Sequence, residues 1–158
     1  MISARVRRVW GTFGRVKNKD KTLVGKEREI TMVRPEPQPN LIKLSDSEDV
    51  RLREPLQNIR DLDVYDSNGE QIGSVEDLYV DQEAQFPRFL DVGAGGFLGI
   101  GKKHFLVPFE EVSRHVGEEE RVVVNRHRDK VLGSPDFDPD EMPEVDLQRA
   151  VYAYYGYS

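Results

Sequence analysis

A glycine-rich segment, 96–102, comes closest to a motif that performs chemistry. Gly96, four further residues and then Gly101-Lys102 reproduce most of the phosphate-binding loop Gly-x-x-x-x-Gly-Lys-Ser/Thr. Lys103 stands where the motif needs the hydroxyl that holds Mg²⁺. The segment also leads into a predicted strand, so no helix N-terminus would face a phosphate. We therefore interpret it as a connector between two strands.

Two acidic segments begin like calcium-binding loops and then depart from that template. In 136–140 the sixth position is Glu141 rather than glycine, and the twelfth is Leu147 rather than glutamate. In 66–70 the glycine comes too early, and the Asn-Gly pair there is typical of a tight hairpin turn. We interpret the first segment as an acidic turn before a helix and the second as a hairpin turn.

The remaining reactive residue types form no recognisable catalytic or metal-binding set. His104, His115 and His127 have none of the spacings that bring two imidazoles together on one helix or strand, so satisfied or solvent-facing histidines are expected. The chain has no cysteine, and no serine lies in a Gly-x-Ser-x-Gly turn. We expect a protein that is not an enzyme, with no catalytic, metal-ligating or cofactor-binding residues and no cofactor.

Length and hydropathy limit the architecture. A chain of 158 residues with 33% charged residues is consistent with one domain and a polar tail. No apolar run approaches the roughly 18 residues that a spanning helix needs, so no transmembrane segment is expected. The basic first residues are not followed by the apolar core of a secretory signal. The expected location is the cytoplasm, with peripheral attachment to a membrane as an alternative.

The charge is divided unequally along the chain. Residues 1–34, the basic arm, carry ten Lys or Arg and three acids, so this arm is at +7 while the remainder is at −13. Such an arm is suited to RNA, an anionic membrane surface or an acidic partner, and a solvated tail remains the alternative. The cations proposed for such contacts are Arg5, Arg7, Arg8, Arg15, Lys17, Lys19 and Lys21.

Three prolines follow the arm at alternate positions, Pro35, Pro37 and Pro39. They predict an extended linker over 35–40. A weak hairpin within the arm, 22–24 against 29–33, is also compatible with the Thr and Val content there. We therefore assign residues 1–40 to the arm and linker, 41–125 to a folded core and 126–158 to a C-terminal helical segment.

The folded core is predicted to be mainly β. Short alternating segments without intervening helices predict a small antiparallel β-barrel of about five or six strands. These strands are expected at 62–65, 72–81, 88–93, 104–108 and 121–124. Gly73 is suited to a bulge or to a close approach of two backbones. Val75 would face away from Leu78 and Val80 unless a bulge intervenes.

The C-terminal segment changes to a helical period. Leu147, Ala150, Val151 and Tyr154 are spaced i, i+3, i+4 and i+7, which predicts an amphipathic helix over 144–155. A shorter helix is expected within 126–132. The longer helix should cover an open end or edge of the barrel, and the fold class is thus a small barrel with a C-terminal helix and a partly disordered N-terminal arm.

Two regions are candidate protein-contact surfaces. The glycine-rich connector carries apolar residues at its tip, and the C-terminus holds several tyrosines, some of which fall off the apolar stripe. For each region the alternative is that the side chains fold back onto the barrel. The candidate contact residues are Phe97, Leu98, Ile100, Tyr152, Tyr155 and Tyr157.

The core also resembles a known family. The run 64–81, with Asp-Leu-Tyr-Val-Asp at 77–81, is similar to PRC-barrel domains, as are Arg-Phe-Leu-Asp-Val at 88–92 and Leu-Val-Pro at 106–108. The C-terminal Ala-Tyr-Tyr at 153–155 also resembles the cytoplasmic domain of the photosynthetic reaction-centre H subunit. The family also includes the C-terminal domain of a ribosome-maturation factor.

The resemblance implies a free-standing PRC-barrel. The chain shows neither the membrane helix of reaction-centre H subunits nor the second barrel of the ribosome-maturation factor. The resemblance therefore implies protein–protein contact rather than catalysis, with the chain itself, as a homo-oligomer, or a larger assembly as the partner. The alternative is an RNA- or ribosome-associated factor that uses the basic arm.

Overall fold

The computed structural model describes residues 35–54, 56–96, 101–114 and 120–157. The basic arm and its predicted hairpin lie outside the described residues. The described residues form seven strands: β1 (Leu41–Lys43), β2 (Asp63–Tyr65), β3 (Gln71–Asp81), β4 (Phe86–Ala94), β5 (Lys103–Pro108), β6 (Val112–Arg114) and β7 (Arg121–Val124). Two α-helices follow them: α1 (Arg128–Leu132) and α2 (Val145–Tyr154). The predicted mainly-β fold with a C-terminal helix is confirmed.

The strands form one sheet in the order β5-β4-β3-β2-β7-β6, and β1 pairs with the far end of β3. All pairs are antiparallel except β2 with β7, which run parallel. Among the described strands β5 and β6 end the order, so the sheet is not closed as the predicted barrel would be. The long stretch of chain between β2 and β7 allows the parallel pairing, because parallel neighbours cannot be joined by a tight turn.

Two irregularities shape the long strand β3. The pairs Val75–Val92 and Asp77–Asp91 leave Glu76 as a bulge, which brings Val75 into the same core as Leu78 and Val80. The bulge that the alternation required is therefore present.

Gly73 allows β3 to pass very close to β4. A Cβ atom there would lie 1.9 Å from the carbonyl oxygen of Gly93, a distance that no side chain can occupy. The pairing of β2 with β3 also shifts register beside Gly73. The close backbone approach expected for this glycine is confirmed, and the bulge lies at the neighbouring Ile72.

The central strands β3, β4 and β5 are buried on both faces. One face lies in an inner core that includes Val64, Leu78, Leu90, Val92 and Val107. The opposite face carries an outer core formed by Tyr79, Phe89, Leu106, Phe137, Val151, Tyr152 and Tyr155. Alternation along β4 produces this arrangement, because successive side chains point to opposite faces. The helix α2 therefore covers a sheet face.

The turn between β2 and β3 is held by one buried carboxylate. Asp66 accepts the backbone N–H groups of Asn68 and Glu70 at 2.8 Å, and that of Arg128 at 3.0 Å. Gly69 has φ +85°, as the predicted hairpin turn requires. Burial alone would raise the pKa of Asp66, but the three N–H groups stabilise the carboxylate and hold its pKa below the ordinary value. Asp66 thus ties the hairpin to the start of α1.

Candidate interaction surface

The buried stripe of α2 starts one residue later than the sequence predicts. Gln148, Val151, Tyr152 and Tyr155 face the sheet, whereas Ala150 is exposed. These four positions also follow the spacing i, i+3, i+4 and i+7. Because the first of these positions is the polar residue Gln148, a pattern based on hydrophobicity does not detect this stripe.

Gln148 is buried because it binds backbone. It is 1% exposed, and its Oε1 accepts the N–H of Gln38 at 2.7 Å. Its Nε2 donates to the carbonyls of Gln38 and Pro143, both at 2.8 Å. The side-chain amide thus satisfies both polar backbone groups of Gln38, as a neighbouring strand would. The segment predicted to be a linker is held on the helix at this point.

Residues 35–43, which we term the strap, continue from this clamp into the sheet. Leu41, Ile42 and Lys43 form β1 opposite Asp81, Val80 and Tyr79 of β3. The ammonium group of Lys43 also donates to the carbonyl oxygen of Pro139. The strap therefore contacts α2, the segment before α2 and the edge of β3.

A second set of contacts fixes the end of α2. The carboxylate of Glu111, 3% exposed, accepts two bonds from the guanidinium of Arg126 at 2.8 and 2.9 Å. It also accepts the hydroxyl of Tyr157 at 2.9 Å, and Arg126 donates to the carbonyl of Tyr155 at 3.0 Å. Burying a carboxylate is costly unless its oxygens accept hydrogen bonds of this kind. This C-terminal latch joins the end of the helix to the turn before β6.

Ionisable groups cross the outer face of the sheet beside the outer core. Asp77 and Asp91 lie directly opposite each other on β3 and β4. Asp77 accepts the backbone N–H and the hydroxyl of Ser45, and Nδ1 of His104 lies 2.9 Å from an Asp91 oxygen. Burial, with the negative charges of Glu76 and Asp77 nearby, outweighs the His104 contact and raises the pKa of Asp91 to about 6.

Asp77, Asp91 and His104 form a polar row, and an open groove of about 450 Å³ lies where this row reaches the surface. Lys102, Lys103 and His104 line one side, and residues 136–139 line the other. The ammonium of Lys102 is paired with Glu76 at 2.8 Å. The lining therefore carries both signs of charge.

The surface beyond the groove is charged rather than apolar. Among the described residues, Met142 is the single large apolar side chain more than a third exposed, at 43%. The acidic segment, residues 136–146, presents six exposed carboxylates and contains no Lys or Arg. The carbonyl of Pro139 in this segment accepts the ammonium group of Lys43 from the strap, and the carbonyl of Pro143 accepts the same Gln148 amide that binds Gln38, so the chain enters the fold beside the acidic segment.

The structure places the predicted contact tyrosines inside the fold. Tyr152 and Tyr155 are each 2% exposed, so the expectation that they lie off the buried stripe is wrong. The ring of Tyr152 packs 4.8 Å from that of Phe89. Tyr157 is half-buried and belongs to the latch. Their proposed role in partner contact stays a prediction, and the outer core already uses the two buried rings.

The other predicted contact residues are not described. Phe97, Leu98 and Ile100 lie outside the described residues, as do the seven cations of the basic arm. Of the histidines, His104 contacts Asp91, and His127 contacts Asn68 at 2.9 Å. His115 lies outside the described residues.

Sequence reasoning missed the bonds between Gln148 and Gln38 and the row formed by Asp77, Asp91 and His104. Gln148 and Gln38 are 110 residues apart, and no local pattern links them. Asp77 and Asp91 are polar residues within apolar strands, and this signal was present in the sequence. They were used only as part of the family pattern.

The fold defines a small β-sheet domain closed on one side by a helix, and comparison with known proteins identifies its class. Residues 53–131 match the family model described as PRC-barrel domain. This match covers half of the 158 residues, and the chain belongs to the PRC-barrel family. No curated protein gives a significant match to the chain. In the part of the chain that the structure describes, no helix has the length and apolar character needed to cross a membrane.

Proposed function

We propose that the chain is a non-catalytic protein-interaction and assembly module that acts in the cytoplasm. It associates with itself or docks on a larger protein assembly. The resemblance to the reaction-centre H-subunit version of the family supports an assembly role.

The observation that carries this proposal is the packing of the central sheet on both faces. The inner core fills one face, and α2 with the outer core fills the other. Recognition is then left to strand edges, the strap and the charged surface. These features are suited to binding another polypeptide, since polypeptides add to sheet edges and match surface charge.

Measuring solution mass by sedimentation over a wide concentration series tests self-association. We expect species heavier than the 18.2 kDa chain as the concentration rises. A parallel capture experiment from native lysate, with the full chain as bait, tests docking on other proteins. A strict monomer that also retains no protein would refute the proposal.

The charge of the basic arm favours a second candidate, an RNA-associated factor. Several Lys and Arg residues that contact phosphates release counterions, so binding should weaken steeply with salt. We expect the full chain to retain RNA at low salt and the triple substitution of Arg5, Arg7 and Arg8 by Gln to reduce retention. Arg149→Gln, on the exposed side of α2, is the matched control. Equal retention by both variants would exclude this candidate.

A further inference from the structure

We propose that the strap is exchangeable: the strap of one copy docks in the Gln148 clamp and on the β3 edge of a second copy. The resulting dimer is held by the contacts that the strap makes within one chain. This inference rests on the proposed function, and it names the surface and the partner through which the module associates.

The strap is held by few interactions. No residue from 35 to 43 is fully buried, and β1 contains three residues. The three prolines of the strap have no backbone N–H to donate. Regions with so few buried contacts open at a lower free energy than the whole domain unfolds. When the strap opens, the edge of β3 at Tyr79–Asp81 loses its partner strand, and Gln148 loses its two bonds to Gln38 while it keeps the one to Pro143.

An exchanged dimer needs no apolar docking face. Stable interfaces bury about 800 Å² on each partner, usually with an apolar centre. The described surface offers Met142 as its single well-exposed large apolar side chain, which cannot supply such a centre. Exchange avoids this requirement, because the strap makes the same bonds in the second copy as in its own.

The charge distribution favours this occupant over an unrelated peptide. The basic arm, at +7, directly precedes the strap, and the strap enters beside the acidic segment with its six carboxylates. A strap from a second copy therefore carries its basic arm to an acidic surface of its partner. Attraction between exposed charges of this kind is screened by salt, so the dimer should weaken as ionic strength rises.

The chain also provides a hinge between the strap and the core. Leu44, which is 4% exposed in the inner core, and Ser45, which is bonded to Asp77, precede the hinge, so both move with the strap and make the same contacts in the second copy. The core resumes at Val50, which is 0% exposed. Between Ser45 and Val50, Glu48 and Asp49 are exposed. An extended conformation of this stretch would direct the strap away from its own sheet.

Engineered cysteines test the exchange, since the chain contains no cysteine of its own. Leu41 and Asp81 are opposite each other in the register of β1 and β3, so a disulfide between L41C and D81C reports which β3 the strap occupies. After oxidation at increasing protein concentration, we expect the fraction of covalent dimer on a denaturing gel to rise. The control is Asp63→Cys with Arg121→Cys, opposite each other in β2 and β7, which should crosslink within one chain at every concentration.

Crosslinks that stay within one chain at every concentration overturn the exchange. If the unmodified protein is then still heavier than 18.2 kDa, it associates through another surface and the proposed function stands. If it is a monomer, self-association is excluded as well.

A variant without cysteines gives an independent test. Deleting Glu48 and Asp49 shortens the hinge, so the strap reaches its own sheet less easily and exchange is favoured. We expect the deletion to shift the mass toward a dimer at concentrations where the wild-type chain is monomeric. An unchanged mass in a folded deletion variant would contradict the proposal.

Discussion

Replacing Asp66 should separate the β2–β3 hairpin from α1 more severely than its place in a turn suggests. The carboxylate is 2% exposed and accepts three backbone N–H groups, two from its own turn and one from Arg128, which is 62 residues away. Asp66→Ala removes all three acceptor contacts. Asp66→Asn retains one oxygen for Asn68 and Glu70 but turns an amide N–H toward the N–H of Arg128.

The magnitude follows from the accessibility of each donor. A hydrogen bond to a charged group contributes about 1.5–3 kcal/mol, and less where water can replace the acceptor. Asn68 and Glu70 are exposed, so water can partly solvate their N–H groups after the substitution. We therefore expect Asp66→Ala to lower the free energy of unfolding by about 3 kcal/mol, and Asp66→Asn by about 1–2 kcal/mol.

Lowering the pH should reproduce the loss of stability that Asp66→Asn causes. Because the folded-state pKa of Asp66 is lowered, its stabilisation is present above the unfolded-state pKa of about 4. It is lost as the pH falls through the lower, folded-state pKa. The difference in stability between wild type and Asp66→Asn should therefore shrink below about pH 4.

Urea denaturation followed by circular dichroism measures these differences, since the single Trp, Trp10, lies outside the described residues. Asp63→Asn, an exposed acid in the same hairpin, controls for the loss of one negative charge. If Asp66→Asn costs no more than Asp63→Asn and has the same pH dependence, our account of this network is wrong.

Three further predictions concern other contacts and use the same assay. Gly73→Ala pushes β3 away from β4 and should lower the free energy of unfolding by about 3 kcal/mol. Gly69→Ala, where the new methyl group meets open space but the backbone has a positive φ, should lower it by about 1 kcal/mol. Equal losses for the two variants would contradict the close approach of β3 and β4. Arg126→Lys breaks the two-bond contact with the buried carboxylate of Glu111 and should lower the free energy of unfolding by about 2 kcal/mol. Tyr157→Phe removes one hydrogen bond to the same carboxylate and should lower it by about 1 kcal/mol. The reverse order would refute our account of the latch. Because the pKa of Asp91 is raised to about 6, stability from this group is present below the unfolded-state pKa and is lost as the pH rises through about 6. Asp91→Asn should remove that loss, and an unchanged pH profile would show that Asp91 does not titrate there.

Local pattern was sufficient for most of the secondary structure. The five predicted strands and both helices are present with small shifts at their ends, because each is rich in β-branched or periodic apolar residues and several have Gly or Pro at a limit. The bulge at Glu76 was also accessible, since Val75 could join the core only through it. The PRC-barrel resemblance, based on strand and turn residues, is confirmed by the family match.

Contacts between distant segments could not be predicted in this way. β1 and β6 are three residues each, too short to show alternation. The expectation of a closed sheet failed because local pattern does not determine which strands pair. The stripe of α2 was misplaced because Gln148 is buried for its hydrogen bonds to Gln38 and Pro143, which hydropathy does not describe.

The two-sided packing of β4 also bears on where the domain ends. The family match stops at residue 131, before Phe137 and the whole of α2. A fragment cut at that boundary would leave Tyr79, Phe89 and Leu106 without their covering layer. The stretch that the family model covers is therefore shorter than the packed structure, whose outer core includes Phe137 and the buried residues of α2.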